Sequence, residues 1–97
     1  MTAETAVQRA RLTITHPTGL HARPAVKLTK LAKGFDAEIG IAAAAEGPWI
    51  DAKSIVKVMA LKLKTGTEIE LEATGETAAD AVEALSGLVT RDFDEHG

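Results

Sequence analysis

The strictest pattern in the sequence is the alternation of polar and apolar side chains over residues 67–73. In an extended chain, one face would carry three apolar side chains and the other three carboxylates: Ile69, Leu71 and Ala73 against Glu68, Glu70 and Glu72. A strand of this kind buries one face and leaves the other in water. The pattern therefore predicts an antiparallel sheet that is covered on one side only.

Three further strands and three helices are predicted around this strand. The strands are short and partly β-branched, and they cover Arg11–Thr15, Phe35–Ile41 and Trp49–Asp51. The helices have apolar residues at three- and four-residue spacing, and they cover Ala22–Lys33, Ser54–Leu63 and residues 78–90. The resulting order is βαββαβα. It predicts an α+β fold in which three helices cover one face of a four-stranded antiparallel sheet.

Local signals set the expected ends of these elements. Ser54 or Asp51 is the candidate N-cap of the second helix, and Thr77 with Asp80 predicts a capping-box-like start for the third. The alanine-rich stretch 42–48 ends in Gly-Pro and is interpreted as a hairpin loop. On the first helix Lys27, like the later lysines, is expected to face solvent.

The length of 97 residues fits one compact domain, residues 1–97. We expect an ordered core from about residue 9 to about residue 90, between two polar tails at 1–8 and 91–97. No cysteine is present, which excludes disulfides, thiolate metal sites and thiol nucleophiles. No apolar run approaches the ~20 residues of a membrane-spanning helix. Without a signal-peptide pattern, the expected compartment is the cytoplasm.

The charge and the aromatic content argue against nucleic-acid binding. The net charge is −3, and aromatic residues make up 3% of the chain. Such a chain lacks the basic surface that releases phosphate counterions and the aromatic platform that stacks bases. The alternating strands could suggest an RNA-binding sheet. Their polar face, however, carries carboxylates and no aromatic pair.

His21 is the histidine whose position suggests chemistry. It lies between a Thr18-Gly19 turn and the first turn of the predicted helix, where unpaired N–H groups and the helix dipole favour anions. The same field keeps the imidazole neutral and nucleophilic, and Arg23 adds a guanidinium suited to phosphate. Phosphohistidine chemistry and a simple helix-capping role are both open on these residues alone.

The other histidines suggest no site. His16 precedes a proline in a loop and His96 lies in the tail, and surface polarity accounts for both. His16 and His21 are five residues apart, with no carboxylate at a helpful spacing. No metal site is therefore expected.

Two motifs resemble signatures of one known family. GLHARPA at residues 19–25 resembles the phosphorylation-site motif of HPr, the phosphocarrier of the phosphotransferase system. DAKSI at residues 51–55 is similar to the family's second signature, around its regulatory serine. The resemblance runs from about Arg11 to Val89. It implies the HPr-like open-faced β-sandwich and a relay protein, not an enzyme, that needs no cofactor and works as a monomer.

The resemblance also implies a site and partners. His21 would accept a phosphoryl group on Nδ1 from the phosphohistidine of enzyme I and pass it to a histidine of an EIIA protein or domain. Arg23 would be the phosphate partner. The sugar, nitrogen-related and dihydroxyacetone kinase branches of the system all remain open. The chain carries no nucleotide-binding loop such as GxxxxGKS, which fits a protein as phosphoryl donor.

The family's docking surface maps onto the second helix. The matching apolar residues are Ile55, Val56 and Met59, with Lys57 and Lys30 at the rim. Ile55 and Met59 could equally be core residues, whereas Val56 lies off the core stripe. A small, transient interface is expected, because a carrier must leave each partner after transfer.

Ser54 matches the serine that HPr kinase/phosphorylase modifies in some members of the family. A regulatory module that acts through phosphorylation of Ser54 is therefore the alternative function, whereas a helix N-cap is a sufficient structural role for this serine. Lys57 and Lys62 stand where other members carry glycine. Lys57 favours an enteric-like partner surface.

Overall fold

The computed structural model describes residues 7–17, 22–43 and 47–94. Within them, the strands are β1 (Val7–Thr13), β2 (Glu38–Ala43), β3 (Ile50–Asp51) and β4 (Glu68–Thr74). The helices are α1 (Ala22–Lys33), α2 (Ile55–Ala60) and α3 (Ala78–Thr90). A 3₁₀ turn over Asp92–Asp94, called here the C-terminal turn, follows α3. The predicted order βαββαβα is confirmed.

The four strands form one antiparallel sheet in the order β1-β4-β2-β3. The last strand in sequence, β4, therefore occupies a central position. Its alternation works as predicted, because Ile69, Leu71 and Ala73 are buried. Glu68 is exposed, and Glu70 and Glu72 are half-buried on the other face. The helices pack on the apolar face only, so the predicted α+β open-faced sandwich is confirmed.

The apolar stripe of α3 supplies a large part of the core. All six residues of the predicted stripe are buried: Ala78, Ala81, Val82, Leu85, Leu88 and Val89. They join the apolar residues of α1 and of the sheet in one cluster. Close packing of this kind is the main source of stability in a domain of this size.

The open face of the sheet carries ion pairs between neighbouring strands. Arg9 contacts Glu72 at 2.7 Å, and Arg11 contacts Glu70 at 2.7 Å. The hydrogen bond to Glu70 and then the charges of Glu70 and Glu68 raise the pKa of Arg11 above its usual value. Exposed pairs of this kind add little stability, but they fix the cross-strand arrangement of this face.

The predicted boundaries of the first two strands are wrong at both ends. β1 begins at Val7 and ends at Thr13, because it pairs along the whole of β4 and its partner sets its length. β2 covers Glu38–Ala43, so two alanines assigned to the loop belong to the strand. Phe35 lies in the bend after α1 and is half-buried. Local propensity does not report such pairing, which depends on residues far along the chain.

The end of the second helix and the capping of the third also differ from expectation. α2 ends at Ala60, and Lys62 follows with a φ of 52°, in the left-handed region that glycine adopts most easily. Thr77 is the N-cap residue of α3, as predicted, but its side chain makes no cap hydrogen bond, so the capping-box prediction is wrong. Its Oγ1 accepts a hydrogen bond from the Ala37 N–H at 3.3 Å.

The predicted C-terminal polar tail contains a core residue. Phe93 is 1% exposed in the C-terminal turn, and its ring centroid lies 6.2 Å from that of His16. His16 is buried as well, so its assignment to the surface is wrong. Asp92, next to Phe93, accepts a hydrogen bond from Thr15. The end of the described chain is thus packed against the segment that follows β1.

Lys27 connects α1 to the same turn. Its Nζ donates a hydrogen bond to the carbonyl of Phe93 at 2.9 Å, and the side chain is half-buried rather than solvent-facing. Arg91 and Asp94 form an ion pair at 2.8 Å across the turn. The hydrogen bond to Asp94 raises the pKa of Arg91.

No helix in residues 7–17, 22–43 or 47–94 combines the length and the apolar character that crossing a membrane requires.

Candidate functional site

The start of α1 is the element next to the predicted acceptor histidine. The helix begins at Ala22, as predicted, and Pro24 is buried in its first turn. Proline is tolerated there because its missing N–H would have no partner within the helix. Arg23 lies in the same turn and is exposed. His21 lies outside the described residues.

The charge along α1 suits an anion at its N-terminal end. The first turn carries no acidic side chain, and Lys30 and Lys33 lie in the last turn. The lysines complement the negative end of the helix dipole, and no carboxylate of the helix neutralises the positive end. An anion bound there would meet backbone N–H groups and a guanidinium.

Ser54 lies at the start of α2, as predicted. Its backbone is extended, and its Oγ accepts a hydrogen bond from the Lys57 N–H at 3.3 Å. The side chain is half-buried. Ser54 is therefore the N-cap of α2. Asp51, the other predicted candidate, instead accepts a hydrogen bond from the Lys53 N–H at 2.9 Å.

The outer surface of α2 is apolar and exposed. Val56 is 75% exposed and Met59 is 41% exposed, whereas Ile55 is half-buried against the core. Val58 is fully buried and anchors the helix. The prediction that Val56 lies off the core stripe is thus confirmed, and Met59 is not a core residue. A short helix that exposes two large apolar side chains is typical of a surface that contacts another protein.

Val26 extends this surface onto α1, and the sequence analysis did not single it out. It is 47% exposed. On the other flank of α1, Lys27, Lys30 and Leu31 line a cleft with α3, and α1 also packs against α2. By helical geometry, Val26 lies on the flank that faces α2. The signal that identified Val56, an apolar residue outside the core stripe, would have found Val26 too.

Basic side chains accompany the apolar ones. Lys30 on α1 and Lys57 on α2 are both exposed, as predicted. Lys30 lies between the two flanks of α1, because it also lines the cleft with α3. We call Val26, Val56 and Met59 with these two lysines the α1–α2 patch. Its apolar centre and positive charges would complement a partner with an apolar and acidic surface.

A metal centre finds no support in the described part of the chain. Among those residues, no group of three or more histidine and carboxylate side chains is arranged to hold a metal ion.

Comparisons with known proteins agree on one family. The family model described as PTS HPr component phosphorylation site matches residues 8–91. The phosphocarrier protein NPr of Escherichia coli strain K12 is 42% identical over 82 residues, which are 84% of this chain and 90% of that protein. The phosphocarrier protein HPr of Pseudomonas putida is 38% identical over 84 residues, covering 87% and 92% of the two chains.

A solved structure agrees with the sequence matches. The crystal structure of HPr-C-His from Thermoanaerobacter tengcongensis superposes with a TM-score of 0.86 at 31% identity. The match covers 93% of this chain and 99% of that chain. Members of this family carry phosphoryl groups and are not enzymes. The chain therefore belongs to the HPr family of phosphotransferase-system phosphocarriers, the family that its two motifs resemble.

Proposed function

We propose that the protein accepts a phosphoryl group on His21 from the phosphohistidine of enzyme I and passes it to a histidine of an EIIA protein or domain. The observation that carries the proposal is the start of α1 at Ala22, one residue after His21 in the family motif. The N–P bond of the donor histidine breaks as the bond to His21 Nδ1 forms. In the second transfer, the N–P bond at His21 breaks as a bond to the EIIA histidine forms, and the carrier is then released.

Arg23 and the helix N-terminus would hold the transferred group. Arg23 is exposed in the first turn of α1, where a guanidinium can reach phosphate oxygens. Transfer between two histidines has a small driving force, so the carrier must stabilise the phosphoryl group without trapping it. An exposed cation and unpaired backbone N–H groups suit that balance.

The α1–α2 patch is the proposed docking surface for enzyme I and EIIA. Val56 and Met59 offer apolar area, Ile55 supports them from the core side, and Lys30 and Lys57 offer positive charge. Charges at a rim mainly accelerate association and select partners. The small apolar centre lets each complex dissociate after transfer.

Phosphoryl transfer from phosphoenolpyruvate with catalytic enzyme I tests the proposal. The wild type should gain about 80 Da, the mass that one phosphoryl group adds. The gain should be acid-labile and absent from His21→Ala. His96→Ala is the matched control and should be labelled like the wild type. Labelling of His21→Ala, or of none of the proteins, would contradict the proposal.

Arg23→Ala should slow transfer without unfolding the protein. Removal of a charge-assisted contact to the phosphoryl group predicts a loss of about tenfold in rate. Arg11→Ala removes a guanidinium from the open face of the sheet, opposite α1, and should leave the rate near that of the wild type. An Arg23→Ala rate equal to that of Arg11→Ala would remove Arg23 from the site.

Phosphorylation of Ser54 by HPr kinase/phosphorylase is the second candidate function. Ser54 is only half-buried and begins the helix that exposes Val56. A phosphate there would suit the helix N-terminus but would oppose docking on an acidic partner. Incubation with the kinase and ATP should add an acid-stable phosphate that Ser54→Ala lacks. No added mass would reject this candidate.

We further propose that the chain acts as one monomeric domain in the cytoplasm, where the phosphotransferase relay operates. Light scattering on the eluting protein should give a mass near 10.2 kDa at micromolar concentration. A mass near twice that value would contradict the monomer.

A further inference from the structure

A cleft of about 430 Å³ lies on the open face of the sheet, at its β3 edge. Trp49 and Gly40 form its apolar part, and its charged lining consists of Glu38, Asp51, Lys53 and Glu72. This is the face opposite to the helices, since Gly40 alternates with the buried Ile39 and Ile41. The cleft is therefore separate from the α1–α2 patch.

Trp49 presents an aromatic surface to this cleft. Its ring lies so close to β2 that a Cβ built on Gly40 would be 3.2 Å from Cε3. A glycine at position 40 thus lets the ring lie near the strand. The side chain nevertheless remains 41% exposed. Tryptophan is enriched at sites that bind other proteins.

The charged side chains that line the cleft around Trp49 carry a net negative charge. The lining holds three carboxylates and one ammonium group. Arg9 pairs with Glu72 at 2.7 Å, and Lys53 donates its Nζ to the carbonyl of Phe35 at 2.7 Å. Glu38 is exposed and has no ion-pair partner among the described residues. A cation in the cleft would find both a carboxylate and an indole face.

We infer that this cleft binds the guanidinium group of an arginine side chain presented by a partner protein. A guanidinium is planar, so it can stack on Trp49 while its N–H groups donate to Glu38 or Asp51. An ammonium group satisfies only part of this arrangement. The cleft opens at the edge of the sheet, next to the two-residue strand β3, which an extended peptide can approach.

The inference goes beyond the proposed carrier function. A partner held on the open face would leave the helix face accessible to enzyme I and EIIA. The site would therefore attach the carrier to a third protein while phosphoryl transfer continues. It does not require His21.

Trp49 fluorescence tests the inference directly, because the chain contains one tryptophan and no tyrosine. The wild-type protein is titrated with a blocked Gly-Arg-Gly peptide and with the same peptide carrying citrulline, which is neutral and similar in shape. The arginine peptide should give a saturable change with a dissociation constant on the order of millimolar, as expected for one side chain. The citrulline peptide should bind about fivefold or more weakly.

Two charge-matched variants identify the surface. Glu38→Gln should weaken binding of the arginine peptide up to about fivefold. Glu83→Gln makes the same change on the exposed side of α3, in the helical layer, and should bind like the wild type. The amide signal of Gly40 in a ¹H–¹⁵N spectrum provides a second readout of the same site.

Three results would overturn the inference. They are equal responses to the arginine and citrulline peptides, no saturable response in either readout, and equal weakening by the Glu38 and Glu83 variants. In each case Trp49 would serve only to cover Gly40 on the strand.

Discussion

The two flanks of α1 use similar side chains for different purposes. On the α3 flank, Lys27 and Leu31 face α3 and the C-terminal turn, and Phe93 and Leu88 are buried there. On the α2 flank, Val26 is exposed, as are Val56 and Met59 on α2.

The difference shows how a small domain divides its apolar residues. Those on the α3 flank complete the core and stabilise the fold. Those on the α2 flank remain exposed to solvent. A small exposed apolar surface of this kind is suited to transient binding of another protein. Stability and recognition are therefore expected to respond to different substitutions.

Phe93→Ala should have the largest effect on stability. Phe93 is 1% exposed, so its removal leaves a cavity and should lower the free energy of unfolding by about 3–5 kcal/mol. Val56→Ala, at a site 75% exposed, should change it by less than about 0.5 kcal/mol. Urea denaturation measures both. Val56→Ala should instead slow phosphoryl transfer from enzyme I. Equal losses of stability in the two variants would remove the distinction between the flanks.

Lys27→Met and Lys30→Met form a matched pair on one helix. Lys27 donates to the Phe93 carbonyl at 2.9 Å, so its replacement should cost about 1.5 kcal/mol of unfolding free energy. Lys30 is exposed, and its replacement should cost almost nothing. The Lys30 variant should reduce the salt dependence of transfer from enzyme I, because it removes a rim charge. Salt dependence unchanged in Lys30→Met would exclude Lys30 from the docking surface.

Ser54→Ala should have a smaller effect on stability, about 1 kcal/mol, because it removes the cap of α2. Ser54→Asp keeps an acceptor at this position and adds a favourable charge at the helix N-terminus, so it should recover most of the loss. Thermal unfolding measures both variants. If Ser54→Asp is as unstable as Ser54→Ala, the hydroxyl does not act as the cap.

The sequence predicted those elements whose pattern is complete within one segment. α1 begins and ends where its apolar spacing suggests, and the stripe of α3 is buried throughout. β4 was also identified, because strict alternation leaves no other interpretation. At the candidate site, the same reasoning gave Ser54 as one of two candidate caps and placed Val56 outside the core, and the structure agrees with both.

The predictions from sequence are wrong where contacts with residues distant in the chain determine the local structure. Phe93 is a single aromatic residue among polar ones. Its ring lies near that of His16, and its carbonyl accepts a hydrogen bond from Lys27, so residues distant in the sequence surround it. Val7 joins a strand because Thr74 lies opposite. Thr77 bonds Ala37 instead of its own helix. None of these contacts leaves a periodic trace in the local sequence.

The central position of β4 also governs when the fold can form. β1 and β2 each pair with β4 and not with each other. Most of the backbone hydrogen bonds between strands therefore cannot form before residues 68–74 are synthesised. During synthesis, the first two strands leave the ribosome long before their shared partner. Their pairing joins distant parts of the chain, and such contacts close slowly. The nascent chain thus keeps most of its sheet unassembled until residues 68–74 have been made.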